Sequence, residues 1–353
     1  MYQPIEDYGI IGDLHSVALV GKNGSIDLMS FPRFDSPTIF AALLDDETGG
    51  RFCIRPVVTD GRNKQMYLPD TNILLTRFLS DEGVGEISDF MPVGFFPHDH
   101  PRVLVRRVKT VRGVLRYSAV FEPRFDYGRA DHSVEEREME WVFASKGADG
   151  TAVRLRTAVP MTVTDNGAAV ATFELRAGES AAFIMEEVGE GMPSPTAAPD
   201  YEITSFKDTQ NFWRNWIGRS RYQGRWRETV NRSALALKLM FSQTYGSLVA
   251  APTFGLPERI GGERNWDYRY TWIRDAAFSL YALLRLGFTD EAEAFMSWLT
   301  ERFREGKQHA AGPLQIMYGH DGTKTLTEQS LPHLEGYRCS SPVRIGNGAY
   351  DQL

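Results

Sequence analysis

What most constrains this chain is a change of period at one proline-rich segment. As far as about residue 190, apolar residues recur at every second position in short runs closed by Gly, Asn, Asp or Pro, the pattern of antiparallel strands joined by tight turns. Residues 17–20 and 25–29 flank Asn23 and Gly24, a pair suited to the positive φ of a hairpin turn. Residues 73–79 and 85–91 flank a second turn at Ser80–Gly83. Residues 103–110 and 114–121 read as two strands about Val111, Arg112 and Gly113, with Leu115, Tyr117, Ala119 and Phe121 on one face. Further alternations at 140–145, 151–158, 161–164, 169–176 and 180–187 bring the count to about ten, enough for two packed antiparallel sheets. Trp141, Phe121 and Phe125 read most simply as their core.

Pro193, Pro195 and Pro199 then fall within a few residues of one another, where neither strand nor helix continues. Beyond them apolar residues follow helical spacing at 205–216, 226–244, 275–286 and 290–303. Leu235, Leu237, Leu239, Met240 and Phe241 leave the second of these apolar on most sides, and 275–286 is apolar nearly all round. Phe295, Trp298, Leu299 and Phe303 give the last one an apolar face. Helices of this kind belong inside a multi-helix layer. The expected organisation is a β-sandwich domain over 1–192, a linker with its helix over 193–220 and a helical domain over 221–353. Residues 342–353 read as a loop entering a helix without a stop signal, so the sequence is expected to be part of a longer chain.

The bulk numbers exclude several partners. A net charge of −7 with no block of like charges argues against a nucleic-acid or acidic-membrane surface. No apolar run approaches the roughly 18 residues a spanning helix needs, and residues 1–8 show no signal peptide. Cys53 and Cys339 sit far apart outside any paired motif, which points to a reducing, cytoplasmic compartment. His98, Asp99 and His100 bring ligand-type side chains together without a third partner, and Gly346, Asn347 and Gly348 lack the context of a nucleotide fingerprint, so neither a metal nor a cofactor is expected.

Residues 264–275 are the densest chemical signal. Trp266, Tyr268, Tyr270 and Trp272 alternate with Asp267, Arg269 and Thr271, and Arg274 and Asp275 follow at the entrance of an apolar helix. Rings stack on apolar sugar or base faces, while carboxylates and guanidinium forks bond hydroxyls, so this mixture suits a neutral polyhydroxylated ligand. Taken alone, Arg274 and Asp275 fit equally a helix entrance with an acidic first turn and a structural ion pair. Trp266, Tyr268 and Tyr270 line a pocket or plug a core, and Asp267 and Arg269 read as pairing with neighbours at the rim.

Residues 5–13, Gly24–Leu28 and Phe31–Pro37 resemble the start of the prokaryotic glucoamylase and trehalase family, glycoside hydrolase family 15. Residues 252–255, 265–275 and 344–347 are similar to its later motifs, so the resemblance covers nearly the whole sequence. It implies a super-β-sandwich followed by an (α/α)6 barrel. Twelve helices close such a barrel and roughly four or five are visible here, so the barrel is expected to be incomplete and to need its remainder or a partner chain. The family resemblance further implies an inverting reaction, with a general acid in a Trp-Glu motif and a base nearer the C-terminus. Neither motif occurs before Leu353, so the catalytic carboxyls are expected outside these residues and the chain is expected to be inactive alone.

Arg274 and Asp275 match the family pair that grips the terminal glucose, with Trp272 lining the same subsite and Tyr270 beside it. Glu335 is placed on a loop near the leaving-group subsite, with a solvated loop glutamate as the alternative. Arg344 and Asn347 resemble residues around that loop, as ligand contacts or as scaffolding. Arg33, Phe34 and Asp35 read as domain packing. The resulting expectation is an exo-acting α-glucoside hydrolase on trehalose or malto-oligosaccharide ends. A disaccharide phosphorylase and a non-catalytic carbohydrate-binding fragment remain open beside it.

Overall fold

The computed structural model describes residues 2–94, 100–308 and 314–349. His98 and Asp99 of the histidine-rich triplet, and residues 350–353 of the expected terminal helix, lie outside the described residues. The chain divides into two compact units: Met1–Asp13, Ala18–Pro32 and Pro37–Trp213, and Leu14–Val17, Arg33–Ser36 and Arg214–Leu353.

The first unit is a 15-stranded network built on one strand, Val103–Glu122, 20 residues long. Its first half pairs antiparallel with Gly83–Phe90 and Ser180–Glu187, and its second half with Arg51–Pro56 and Ala169–Arg176. The expected turn at Val111, Arg112 and Gly113 is therefore not a reversal. Gly113 takes φ 79° opposite Gly83, where a Cβ would meet the Glu82 carbonyl oxygen at 2.0 Å. The turn-like residues make a kink that hands the strand from one set of partners to another. Gly178 N–H donates to the Thr110 carbonyl and Ala177 N–H to that of Gly113, so the backbone at the kink stays bonded. Gly61–Tyr67 has no apolar alternation and was invisible to period counting; a full ladder with Leu74–Ser80 holds it.

One hydrophobic cluster draws side chains from both halves of the long strand, Leu104 and Val108 with Leu115, Tyr117 and Phe121, and includes Trp141 and Phe125 as expected. Phe121 is fully buried, edge-on to Phe40, Phe52 and Phe143 at 5.7, 5.0 and 4.9 Å. Phe121→Ala removes all three contacts and is expected to cost about 3–5 kcal/mol, read as a lower urea midpoint at unchanged slope.

In the second unit the helices Arg227–Leu239, Ile273–Leu286 and Asp290–Gln308 follow the last turns of Tyr201–Ile217. The second expected helix, 226–244, stops at Leu239 because the chain folds back on itself: Ser242 N–H donates to the Ser247 carbonyl and Val249 N–H to that of Met240. Ile273–Leu286 closes at Gly287, whose φ of 102° lets Phe288 N–H reach the Leu283 carbonyl. Phe288 then stacks on Trp216 at 4.1 Å. The expected all-round burial of this helix is not met: Ala276, Leu280 and Leu283 are buried, whereas Phe278 and Tyr281 are 73% and 64% exposed. Phe303 is exposed as well, so the apolar face expected for 290–303 is only partly covered. Only one side of each helix meets a packing layer within the described residues. No described helix is long and apolar enough to cross a membrane.

Candidate functional site

Residues 250–255 and 266–270 are irregular segments joined by backbone bonds. Ala250, Ala251 and Gly255 N–H groups donate to the carbonyls of Tyr270, Tyr268 and Trp266, and Tyr268 N–H returns a bond to Thr253. The alternation along 265–269 buries the polar side chains rather than the rings. Asn265, Asp267, Arg269 and Thr271 are all 0% exposed, whereas Trp266, Tyr268 and Trp272 are only partly buried. The polar set faces inward, Trp266 and Tyr268 keep partial exposure, and Tyr270 packs with Met317 and Leu326, with Trp272 against the same cluster.

The inward face is bonded at Asp267, Arg269 and the Asn265 amide nitrogen, whereas Asn265 Oδ1 and Thr271 Oγ1 are buried without a hydrogen-bond partner. Asp267 accepts Nε and Nη2 of Arg269 at 2.9 and 2.7 Å and the Gly346 N–H at 3.1 Å. Arg269 Nη1 donates to the Ser36 carbonyl at 2.8 Å, and its guanidinium lies 4.3 Å from the centre of the Phe254 ring. Asn265 donates to the carbonyls of Ser340 and Pro342 at 3.0 and 2.9 Å. This corrects the rim reading of Asp267 and Arg269: they pair with each other, out of solvent, because Ser36 and Gly346 from two other segments supply further bonds that let charge be buried.

The strand delivers into the candidate grip. Thr271–Trp272 pairs with Met317–Tyr318, and the helix starts at Ile273. The Arg274 guanidinium donates Nε and Nη2 to Asp275 Oδ2 at 3.2 and 2.9 Å and lies 5.5 Å from the centre of the Trp272 ring. Both side chains are accessible, Arg274 at 69% and Asp275 at 38%. The Trp272 indole nitrogen is buried with no hydrogen-bond partner. Burial pushes the Tyr268 phenol above its ordinary value, and the charges of Glu258 and Asp275 add to that against Arg274, so Tyr268 shares this surface. Trp272, Arg274, Asp275 and Tyr268 thus come together; sequence spacing already held Tyr268 within the aromatic alternation but not its side of the strand.

The other candidates sit on the 328–349 segment. Arg344 donates to the Glu263 carbonyl at 2.6 Å, lies 3.4 Å from Glu328 and stands 5.5 Å from the centre of the Trp266 ring. Asn347 is 3% exposed: its N–H donates to the Leu326 carbonyl, and its Oδ1 accepts the Ala349 N–H at 3.0 Å. Glu335 is exposed on a turn where Arg338 and Cys339 take φ of 50° and 59°, with Cys339 Sγ 3.7 Å from Glu335 Oε2. Arg344 therefore borders the aromatic face, and Asn347 fastens its own loop. Among the described residues no group of three or more His, Cys, Asp or Glu is placed to hold a metal.

Residues 224–353 match the glycosyl hydrolases family 15 profile, and residues 1–205 match the trehalase-like, N-terminal domain. The chain belongs to glycosyl hydrolases family 15. It is 35% identical over 375 residues to a trehalase of Mycolicibacterium smegmatis, covering 99% of this chain and 55% of that relative. A trehalase of Thermoplasma volcanium is 34% identical over 360 residues, covering 100% and 55%, and one of Mycobacterium tuberculosis 33% over 373 residues, covering 99% and 54%. This family 15 chain thus spans about half the length of the curated relatives it matches.

One pairing in the family 15 chain had no local signal. Asp35 Oδ1 meets His320 Nε2 at 3.1 Å, 285 residues away in sequence, with Phe34 and Tyr245 edge-on to the imidazole. The Arg33–Ser36 segment is thereby packed into the second unit. Burial pushes the Asp35 carboxyl up, but the hydrogen bond and charge of His320, then Arg33 and Arg269, outweigh it and hold the group below its ordinary 3.8. A lowered carboxyl stabilises the fold fully above its unfolded value and loses that contribution as pH falls through the folded one. The melting temperatures of wild type and Asp35→Asn are therefore expected to converge as pH is taken from about 5.5 to about 2.5.

Proposed function

We propose that this chain serves an inverting, exo-acting α-glucoside hydrolase that releases glucose from trehalose or from malto-oligosaccharide ends. The observation that carries the reading is that the partly exposed rings of Trp266, Tyr268 and Trp272 lead directly into the accessible Arg274–Asp275 pair. Both guanidinium bonds converge on Asp275 Oδ2, which leaves Oδ1 and the rest of the Arg274 fork to bond sugar hydroxyls. Trp272 offers the apolar surface against which a pyranose ring packs. Trehalases among the relatives support trehalose as the first substrate to try.

On this reading the pair binds and orients, and does not transfer the proton. An inverting reaction places an acid and a base roughly 6.5–9.5 Å apart across the scissile bond, with water between base and sugar. Asp275, ion-paired to its neighbour, is suited to holding hydroxyls rather than to transferring a proton. Holding the terminal sugar rigidly between those groups lowers the entropic part of the barrier. Arg344 extends the wall beside Trp266 and Asn347 supports it through its loop, while Glu335 belongs to a loop near the leaving-group subsite.

The domain assignment follows the same reading: a super-β-sandwich over 1–192, a linker over 193–220 and the first part of an (α/α)6 barrel over 221–353. The uncovered face of Ile273–Leu286, with Phe278, Tyr281 and Leu284, is closed by further barrel helices or by a partner chain. The free thiols Cys53 and Cys339 fit a cytoplasmic setting.

The test is glucose release by the whole gene product from trehalose, maltose and starch, with the anomer of the first product read by polarimetry. Inversion with at least one of these substrates supports the reading, and failure to release glucose from any α-glucoside sinks it. Strict dependence on phosphate, with a sugar phosphate as product, assigns the phosphorylase reaction instead.

A further inference from the structure

The exposed grip is held by a group that no substrate reaches. Asp267 and Arg269 are both 0% exposed, and removing two charges from water carries a large desolvation cost. Ion pairs of this kind are often replaceable by apolar side chains of similar volume with no loss of stability, so stability alone does not account for the pair. What it supplies is registry. Buried and partly exposed side chains alternate along the extended residues 265–269, and a slip of one residue would turn Trp266 and Tyr268 inward and expose Asp267 and Arg269. An apolar pair would tolerate that slip more readily than a carboxylate bonded at once to Arg269 and to the Gly346 N–H, with Arg269 bonded in turn to Ser36.

We infer that Asp267 and Arg269 are positioning residues. The pair locks the register of 265–271, so that Trp266 and Tyr268 stay partly exposed and Trp272, Arg274 and Asp275 follow in a fixed orientation. Through Gly346 it also seats the neighbouring Arg344 against Trp266. The link from pair to sugar rests on the function proposed above; the link from pair to register does not.

The experiment uses the full-length protein with Asp267→Asn, Arg269→Lys and the double change Asp267→Leu with Arg269→Met. Melting temperature, KM and kcat on the preferred α-glucoside, and amide exchange of peptides covering 265–275 and 344–349 are measured for each. The double variant is expected to melt within a few degrees of wild type while KM rises at least about tenfold, and exchange at 344–349 rises by a similar factor. Asp267→Asn keeps one acceptor and Arg269→Lys keeps the charge, so both are expected to fold and to fall between wild type and the double variant in KM and in exchange. A melting temperature that drops while KM and exchange stay at wild-type values overturns the inference and leaves a purely structural ion pair. If the wild-type protein turns over no α-glucoside, the functional reading fails alone, and the exchange of the two peptides still decides the registry claim.

Discussion

Asp275→Asn is expected to lower kcat/KM on the α-glucoside by about 100- to 1,000-fold while leaving the melting temperature almost unchanged. A hydrogen bond from a sugar hydroxyl to a carboxylate contributes about 1.5–3 kcal/mol, and misplacing the terminal ring relative to the catalytic carboxyls adds to that loss. Each 1.36 kcal/mol is about tenfold in rate, which gives the range above. The stability side is small because Arg274 and Asp275 are 69% and 38% exposed, and an ion pair at such a surface is worth about 0–1 kcal/mol. Arg274→Ala is expected to behave alike, since it removes the donors and frees Asp275 to turn. Steady-state kinetics of the whole gene product with thermal melts in parallel measure both sides. A loss of rate matched by a large drop in melting temperature would mean that the pair is a structural helix entrance after all.

The second large effect is on the fold. Arg106→Met is expected to destabilise the first unit by about 3–5 kcal/mol, because it leaves Asp89 as a buried charge without its cation. Arg106 and Asp89 are both 0% exposed; Nε donates to Asp89 Oδ1 at 2.8 Å, Nη2 to the Gly24 carbonyl at 2.8 Å and Nη1 to the Phe52 carbonyl. The guanidinium thus ties the turn at Gly24, which precedes the Ser25–Ser30 strand, and the Arg51–Pro56 strand to the long strand that carries it. In a unit of this size the loss corresponds to roughly a 10 °C lower melting temperature. Asp89→Leu combined with Arg106→Met is expected to recover much of it, since no charge is then left unpaired. Near-ultraviolet circular dichroism on heating reads both variants. A single variant within about 1 kcal/mol of wild type would show that water reaches Asp89 in solution.

How much of this was legible depended on whether the deciding contact was local. Turn residues and period-2 patterning sufficed for the hairpin of Val17–Gly21 with Ser25–Ser30, where Gly24 takes φ 83°. The same local signals misled at Gly113. A glycine after two polar-compatible positions suits either a reversal or a kink, and the choice fell to Gly83 and the 177–179 turn, which pack there from elsewhere in the chain. Helix 226–244 failed in the same way, its end being decided by backbone bonds within 240–249 that helical spacing does not encode.

The sequence by itself determined the family, the strand-rich first half, the helical second half and the chemistry of 264–275, since residue types and their spacing are local quantities. Tertiary structure alone decided the phase of that stretch. Alternation specifies that rings lie on one side and polar groups on the other, but not which side meets solvent. Here the bonds from Gly346, Ser36, Ser340 and Pro342 draw Asn265, Asp267 and Arg269 inward and leave Trp266 and Tyr268 partly exposed. Those partners lie from about 70 to more than 230 residues away along the chain, and a buried polar face becomes favourable only once they arrive to satisfy it.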